Sequence, residues 1–188
     1  MDLRIKRTRS SIMDAFIQLR SSKPLEKITV KELADLAFIN KATFYSHYKD
    51  IYDLAEQLEN EAVDKMITDI AHPEYIVTNP KEGAWEMVNS IIMQGQLFDI
   101  LFSGSRQTRL RDLLDKKIKA RVYELLPQAS QSLEMDLSLS VIIQGNFYAV
   151  LNHKDSDFNQ VMDILGDISA CIFENCKFHS SFSPATRI

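Results

Sequence analysis

Glycine is scarce in this chain: five in 188 residues, and none before Gly83. Proline is equally scarce, at five. So few breakers, together with long stretches of 3.6-residue periodicity, predict an all-helical protein. The two cysteines, Cys171 and Cys176, are too few for a disulfide framework and are not spaced as zinc ligands; they read as half-buried thiols of a reducing cytoplasm. No apolar run reaches the roughly 18 residues that a membrane span needs. No apolar stretch of the signal-peptide kind follows Arg4-Ile5-Lys6-Arg7. The expectation is a soluble, cytoplasmic chain with no membrane partner. Repeats and low-complexity segments are missing too. So are a nucleophile elbow, a phosphate-cradling glycine loop and paired histidines on one helix face, and His72, His153 and His179 do not cluster at metal spacing. The chain therefore reads as a non-enzyme without cofactor or metal.

What is present is an ordinary globular composition, 45% hydrophobic and 26% charged, enough for one large domain or a small one plus a medium one. The net charge of −4 argues against nucleic acid until its distribution is seen. Residues 1–50 hold ten Lys/Arg against six Asp/Glu, a net of +4; residues 51–188 hold twelve against twenty, a net of −8. A basic head on an acidic body is the asymmetry expected when only one end meets phosphate.

The first helix is predicted over 5–20, with Ile12, Ala15, Phe16 and Leu19 as its apolar stripe. Its first turns carry Arg4, Lys6, Arg7 and Arg9, which oppose the macrodipole; either a nearby phosphate or plain solvation accounts for them. Pro24 ends it, and Leu25 and Ile28 plug a small core. Thr29-Val30-Lys31-Glu32 is a capping box that starts a second helix at Val30, ending near Ala37. Phe38 and Ile39 make a turn, and Asn40 caps a third helix from Lys41. Here Phe44 and Tyr48 share a face and can pack on Leu33 and Phe16. The other face presents Lys41, Ala42, Thr43, Tyr45, Ser46 and His47, side chains suited to phosphates and to base edges in a major groove.

The run I-T-V-K-E-L-A-D-L-A-F-I-N-K-A-T-F-Y-S-H-Y-K-D, residues 28–50, resembles the signature of the TetR family of transcriptional regulators, and the resemblance covers roughly residues 7–55. It implies a helix-turn-helix domain over 1–50, a helical effector-binding and dimerisation domain over 51–178, and a polar tail over 179–188. It implies a homodimer on a palindromic double-stranded DNA operator, released by a small-molecule effector. Arg7, Thr29, Tyr45, His47 and Lys49 would hold phosphates, and Lys41, Ala42 and Thr43 would lie deepest in the groove. Two positions depart from the family pattern. Phe38 stands where a small glycine is common, and Ile51 where a cation is usual. The segment Asp99-Ile100-Leu101-Phe102-Ser103-Gly104 and the final helix pair are similar to the DhaS-like subgroup of C-terminal domains.

In the body, helices are expected from Asp50 to about Ile70, over 80–102, from about Ser105 to Leu125, and over 134–152 and 157–175. The 80–102 helix is apolar on most sides and is expected in the middle of a bundle. The basic face from Arg106 to Arg121 reads as a solvated outer surface. Trp85, Phe98, Phe102, Phe147 and Tyr148 serve either as core or as the lining of an effector pocket, with Asn89, Gln94, Gln144 and Asn146 as amides able to orient a ligand. Val161, Leu165, Ile168 and Ile172 are the expected dimer edge, with Gly145 and Gly166 allowing close backbone approach. Two alternatives stay open: a DNA-binding factor of the same fold without a small-molecule pocket, and a helical ligand carrier or enzyme whose head is structural.

Overall fold

The computed structural model describes residues 3–174; Cys176 and the expected polar tail at 179–188 lie outside the described residues. Its regular secondary structure is all helical, with no strand among the described residues. The α-helices are α1 (Leu3–Ser22), α2 (Val30–Leu36), α3 (Lys41–His47), α4 (Ile51–Thr68), α5 (Tyr75–Thr78), α6 (Pro80–Leu101), α7 (Gln107–Leu125), α8 (Leu133–Asn152) and α9 (Phe158–Glu174), with 3-10 turns at Leu25–Lys27, Gly104–Arg106 and Pro127–Gln131. None of these helices is long and apolar enough to cross a membrane. The chain divides into two compact units, residues up to 63 with 95–110, and residues 64–94 with 111 onward.

The first unit is built by α1, α2 and α3 around Ile12, Phe16, Leu25, Leu33 and Phe44, all nearly inaccessible to solvent. Their periodicity is the reason: Ile12, Ala15 and Phe16 fall on one face of α1, and Leu33 and Ala34 on one face of α2. The first part of α4 adds Ile51, Leu54, Ala55 and Leu58, also buried. The unit extends past residue 50 and takes in the segment around the end of α6 and the start of α7.

That segment corrects the expected uninterrupted helix over 80–102. At Gly95 the backbone leaves helical values, φ 46° and ψ −129°, so α6 is broken there. Only a residue without Cβ takes that conformation without strain. A central position in a bundle does not hold either, since Ile92, Met93 and Leu97 are exposed.

The second unit packs Met66, Ile76, Val77, Ala84, Met87, Leu114, Ile118, Val122, Met135, Leu139, Ile142 and Met162 into its core. Between the helices expected to end near Ile70 and to start at Pro80, α5 forms one helical turn and buries Ile76 and Val77. Leu125, at the end of α7, is exposed. Helix α8 is capped by Ser132, whose hydroxyl accepts from the Met135 amide at 3.2 Å.

A candidate nucleic-acid interface and an uncovered apolar face

Two local caps aim α3. At α2, the Thr29 hydroxyl accepts from the Glu32 amide at 3.2 Å, and the Glu32 carboxylate accepts from the Thr29 amide at 3.2 Å and from the Thr29 hydroxyl at 2.8 Å. Lys23 adds an ammonium at 2.8 Å. With the Lys23 hydrogen bond as the largest cause, then those of Thr29, the Glu32 carboxyl is held down to about 2. At α3, the Asn40 side chain accepts from the Thr43 amide at 2.7 Å and the Thr43 hydroxyl at 2.9 Å. The hydroxyls of Thr29 and Thr43, both expected at DNA, are thus engaged within the protein.

The seven residues of α3 and Tyr48, which ends it, then divide cleanly. Phe44 and Tyr48 are buried, at 0% and 3% exposure, with their rings 5.7 Å apart. Lys41, Ala42, Tyr45 and Ser46 are exposed, and Thr43 and His47 are half-buried. The Ser46 hydroxyl donates to the Thr43 carbonyl at 2.7 Å. Arg7 is exposed on α1 and Lys49 just beyond α3. The Lys49 amide donates to Asp53 at 2.8 Å, which pulls the Asp53 carboxyl below its ordinary range. Ile51 is buried in the core and offers no cation. Arg9 pairs with Glu61 of α4. Beside it, burial pushes the Tyr48 phenol up, offset in part by Arg9.

The turn into α3 holds the one non-glycine residue with left-handed backbone among the described residues: Phe38, at φ 55°. It is 95% exposed. A bulky side chain in that region costs about 1–2 kcal/mol. The turn therefore keeps a conformation that suits glycine without the glycine.

A clamp that sequence reasoning missed braces the same unit. Glu59 is 1% exposed and accepts two bonds from Arg106, at 2.7 and 2.6 Å, and one from Arg109 at 2.7 Å. Arg20, also buried, donates to the Ser103 carbonyl at 2.9 Å. Arg106 and Arg109 are therefore not the solvated face expected of them. One signal was available: Ala55, Glu59, Ala62 and Met66 lie on one helical line, so a carboxylate sits where the stripe calls for an apolar residue.

In the second unit, Lys119, 8% exposed, donates to Asp136 at 2.9 Å and to Ser140 at 2.6 Å. Ser140 donates to Asp115 at 2.8 Å and Tyr123 to Asp136 at 2.8 Å. These bonds lower the Asp136 carboxyl, chiefly through Lys119, while burial raises the Tyr123 phenol. Asn146 donates to Ser169 at 3.3 Å inside the core, so its amide is used between α8 and α9.

The residues expected to line an effector pocket do not fall together. Phe98 and Phe102 belong to the first unit, buried edge-to-face at 5.4 Å. In the second unit Phe147 is core, Asn89, Gln144 and Tyr148 are exposed, and Trp85 is half-buried with its ring edge on Phe158. A different niche, lined by Ile67, Ile70, His72, Ile76, Met87 and Ile118, holds about 10 Å³, room for one water. Among the described residues no group of His, Cys, Asp or Glu is placed to hold a metal.

Helices α8 and α9 each leave an apolar stripe in solvent. On α8 it is Leu133, Leu137, Val141 and Tyr148; on α9 it is Phe158, Ile164 and Ile168. Of the four residues expected at a dimer edge, Ile168 is exposed, Val161 and Ile172 are half-buried, and Leu165 turns into the unit's own core. Ile164, not expected there, is 52% exposed. Gly166 does permit a close approach, but within the chain: a Cβ there would lie 2.7 Å from Lys81 Cγ, while Gly145 faces open space.

No protein-family model, curated protein or solved structure matches this chain.

Proposed function

We propose that this chain is a TetR-type transcriptional regulator, a repressor by the habit of that family, which binds a palindromic DNA operator as a homodimer and is released by a small-molecule effector. The observation that carries the DNA part is the division of α3. A helix of seven residues does not hold itself; a core grips it by Phe44 and Tyr48 and leaves Lys41, Ala42, Tyr45 and Ser46 in solvent. A short polar helix held out in this way suits a major groove, which admits a helix and presents base edges to it. Exposed Arg7 and Lys49 supply charge for phosphates. For the dimer, the stripes on α8 and α9 suit a second copy, because a two-fold interface sets like surface against like.

A second reading, the same DNA-binding dimer without an effector pocket, is favoured by one observation. The second unit is filled where the effector was expected, with Phe147 in the core and Asn89, Gln144 and Tyr148 outside it.

Selection of duplexes of about 30 base pairs from a random-sequence pool by the full-length chain tests the DNA reading, that length being ample for two half-sites a helical turn apart. A palindromic consensus is expected, with affinity falling steeply as salt rises. Lys41→Ala should weaken binding and reduce the salt slope by about 1 if the ammonium meets phosphate, or relax one base preference if it meets a base. Tyr45→Phe combined with His47→Ala should weaken binding roughly tenfold or more. Salt-independent binding, or none, sinks the proposal.

A further inference from the structure

We infer that Phe38 is a base-reading residue: its ring meets the 5-methyl group of a thymine at the edge of the major groove, next to the bases reached by the start of α3. The inference rests on the proposed reading of α3 as a recognition helix.

Three observations lead to it. First, left-handed backbone occurs at Gly95, Gly104 and Phe38. At two of these positions the chain uses the residue that takes the conformation freely; at the third it keeps a phenylalanine in a region where bulky residues are outliers. An outlier of that kind is grounds for a functional hypothesis.

Second, the strain gains nothing inside the fold. Phe38 is 95% exposed, and among the described residues no aromatic partner lies against it. Its neighbours show that packing was within reach of this segment: Ala37 is buried, and Ile39 half-buried.

Third, the place is specific. The Phe38 amide donates to the Asp35 carbonyl at 3.3 Å and the Ile39 amide to the Ala34 carbonyl at 3.0 Å, so both sides of the turn are tied to α2. Phe38 stands two residues before the Asn40 cap and three before Lys41, within about 11 Å along the chain. A side chain fixed there moves with the N-terminal end of α3, the end that enters the groove in helix-turn-helix docking. Phenylalanine carries no hydrogen-bonding group, and the apolar feature a base pair shows in the major groove is the thymine methyl.

The test uses the full-length chain and a duplex that the wild type selects from a random pool. Phe38→Gly removes the ring and relieves the backbone, so its Tm should rise by about 2–4 °C while its affinity for that duplex falls roughly five- to tenfold. Thymines of the duplex are then replaced one at a time by deoxyuridine, which lacks only the methyl. At one position the replacement should weaken the wild type several-fold and leave Phe38→Gly unchanged. If Phe38→Gly binds as tightly as the wild type while Lys41→Ala does not, the reading of α3 survives and the role of Phe38 is overturned. Deoxyuridine effects equal in both proteins at every position overturn it as well, as does a change of oligomeric state in Phe38→Gly, which assigns the ring to a protein contact. If the wild type selects no duplex, the recognition-helix reading falls and Phe38 falls with it.

Discussion

Two surfaces of this molecule lack a cover, and they are opposite in chemistry. The outer face of α3 presents an ammonium, a methyl, a phenol and a hydroxyl, from Lys41, Ala42, Tyr45 and Ser46. The outer faces of α8 and α9 present Leu137, Val141, Ile164 and Ile168, each at least half exposed. Scattered apolar residues on a surface need no explanation, but stripes at helical spacing on two helices do. The difference indicates what each face is fit to meet. A polar face has an aqueous alternative and can wait for a charged partner; an apolar face has a standing reason to leave water. If α3 meets DNA, that encounter is governed by salt and sequence, whereas the α8 and α9 faces would be covered permanently. The units beneath them also differ. The first is braced by an anion in the core, Glu59, under two arginines. The second is braced by a cation, Lys119, whose partners Asp136 and Asp115 keep side-chain exposures of 47% and 21%.

The comparison breaks most sharply at α9. Ile164→Glu with Ile168→Glu leaves the second unit's core intact, because both side chains point to solvent in the single chain. If these faces cover each other in a dimer, each isoleucine, half covered already, contributes about half of the roughly 1.5–3 kcal/mol of a full burial, and four carboxylates across a two-fold axis abolish association. Sedimentation at micromolar concentration should show dimer for the wild type and monomer for the variant, with an unchanged helical spectrum. Binding to a two-half-site duplex should collapse with it. A wild type that is already monomeric at tens of micromolar contradicts the premise (concentrations of roughly this order separate stable from weak association).

A smaller effect sharpens the contrast between the two braces. Glu59→Ala strips the buried acceptor from Arg106 and Arg109, both half-buried and left with Glu56 alone at 4.0 and 3.7 Å, which costs about 3 kcal/mol, the low end for breaking a buried pair. Lys119→Met removes a cation whose carboxylate partners can turn to water, so its cost should be clearly lower. Urea unfolding followed together with amide exchange in α2 and α4 should show the Glu59→Ala loss concentrated in the first unit. Equal losses for the two variants remove the distinction drawn here.

What could be read from the sequence was local. The capping box at Thr29, the cap at Asn40 and the buried pair Phe44 and Tyr48 each depend on residues three or four apart, and all are present. The all-helical class followed from periodicity and scarce breakers. What could not be read was set by distance or by angle. Glu59 and Arg106 are 47 residues apart, and no periodicity links them. The break at Gly95 depends on a backbone torsion that glycine permits but does not impose. Leu165 and Ile164 show how fine the limit is: one step along a helix turns a side chain by about 100°, enough to exchange core for surface. As for the candidate site, hydrogen bonding separated Thr29 and Thr43, whose hydroxyls are engaged in caps that the residue types had already announced, from Lys41, Ala42 and Tyr45, which are out in solvent.

The smallest expected effect tests how firmly the polar face is aimed. The Glu32 carboxyl, held at about 2 against an ordinary 4.5, is more readily charged in the folded chain than in the unfolded one. Its contribution is therefore fully present above about pH 4.5 and is lost as pH falls toward 2. Because the group is on the surface, salt screens part of it. Glu32→Gln keeps a side chain able to accept from the Thr29 amide but discards the charge seen by Lys23. At pH 7 it should leave α2 formed. Between about pH 4.5 and 2, amide exchange at the start of α2 should accelerate in the wild type, and the variant should lack that component of the pH dependence. If the Glu32 carboxyl instead titrates near 4.5 by NMR, the box at Thr29 holds α2 by geometry alone, and the ion pair with Lys23 contributes nothing to the placement of α3.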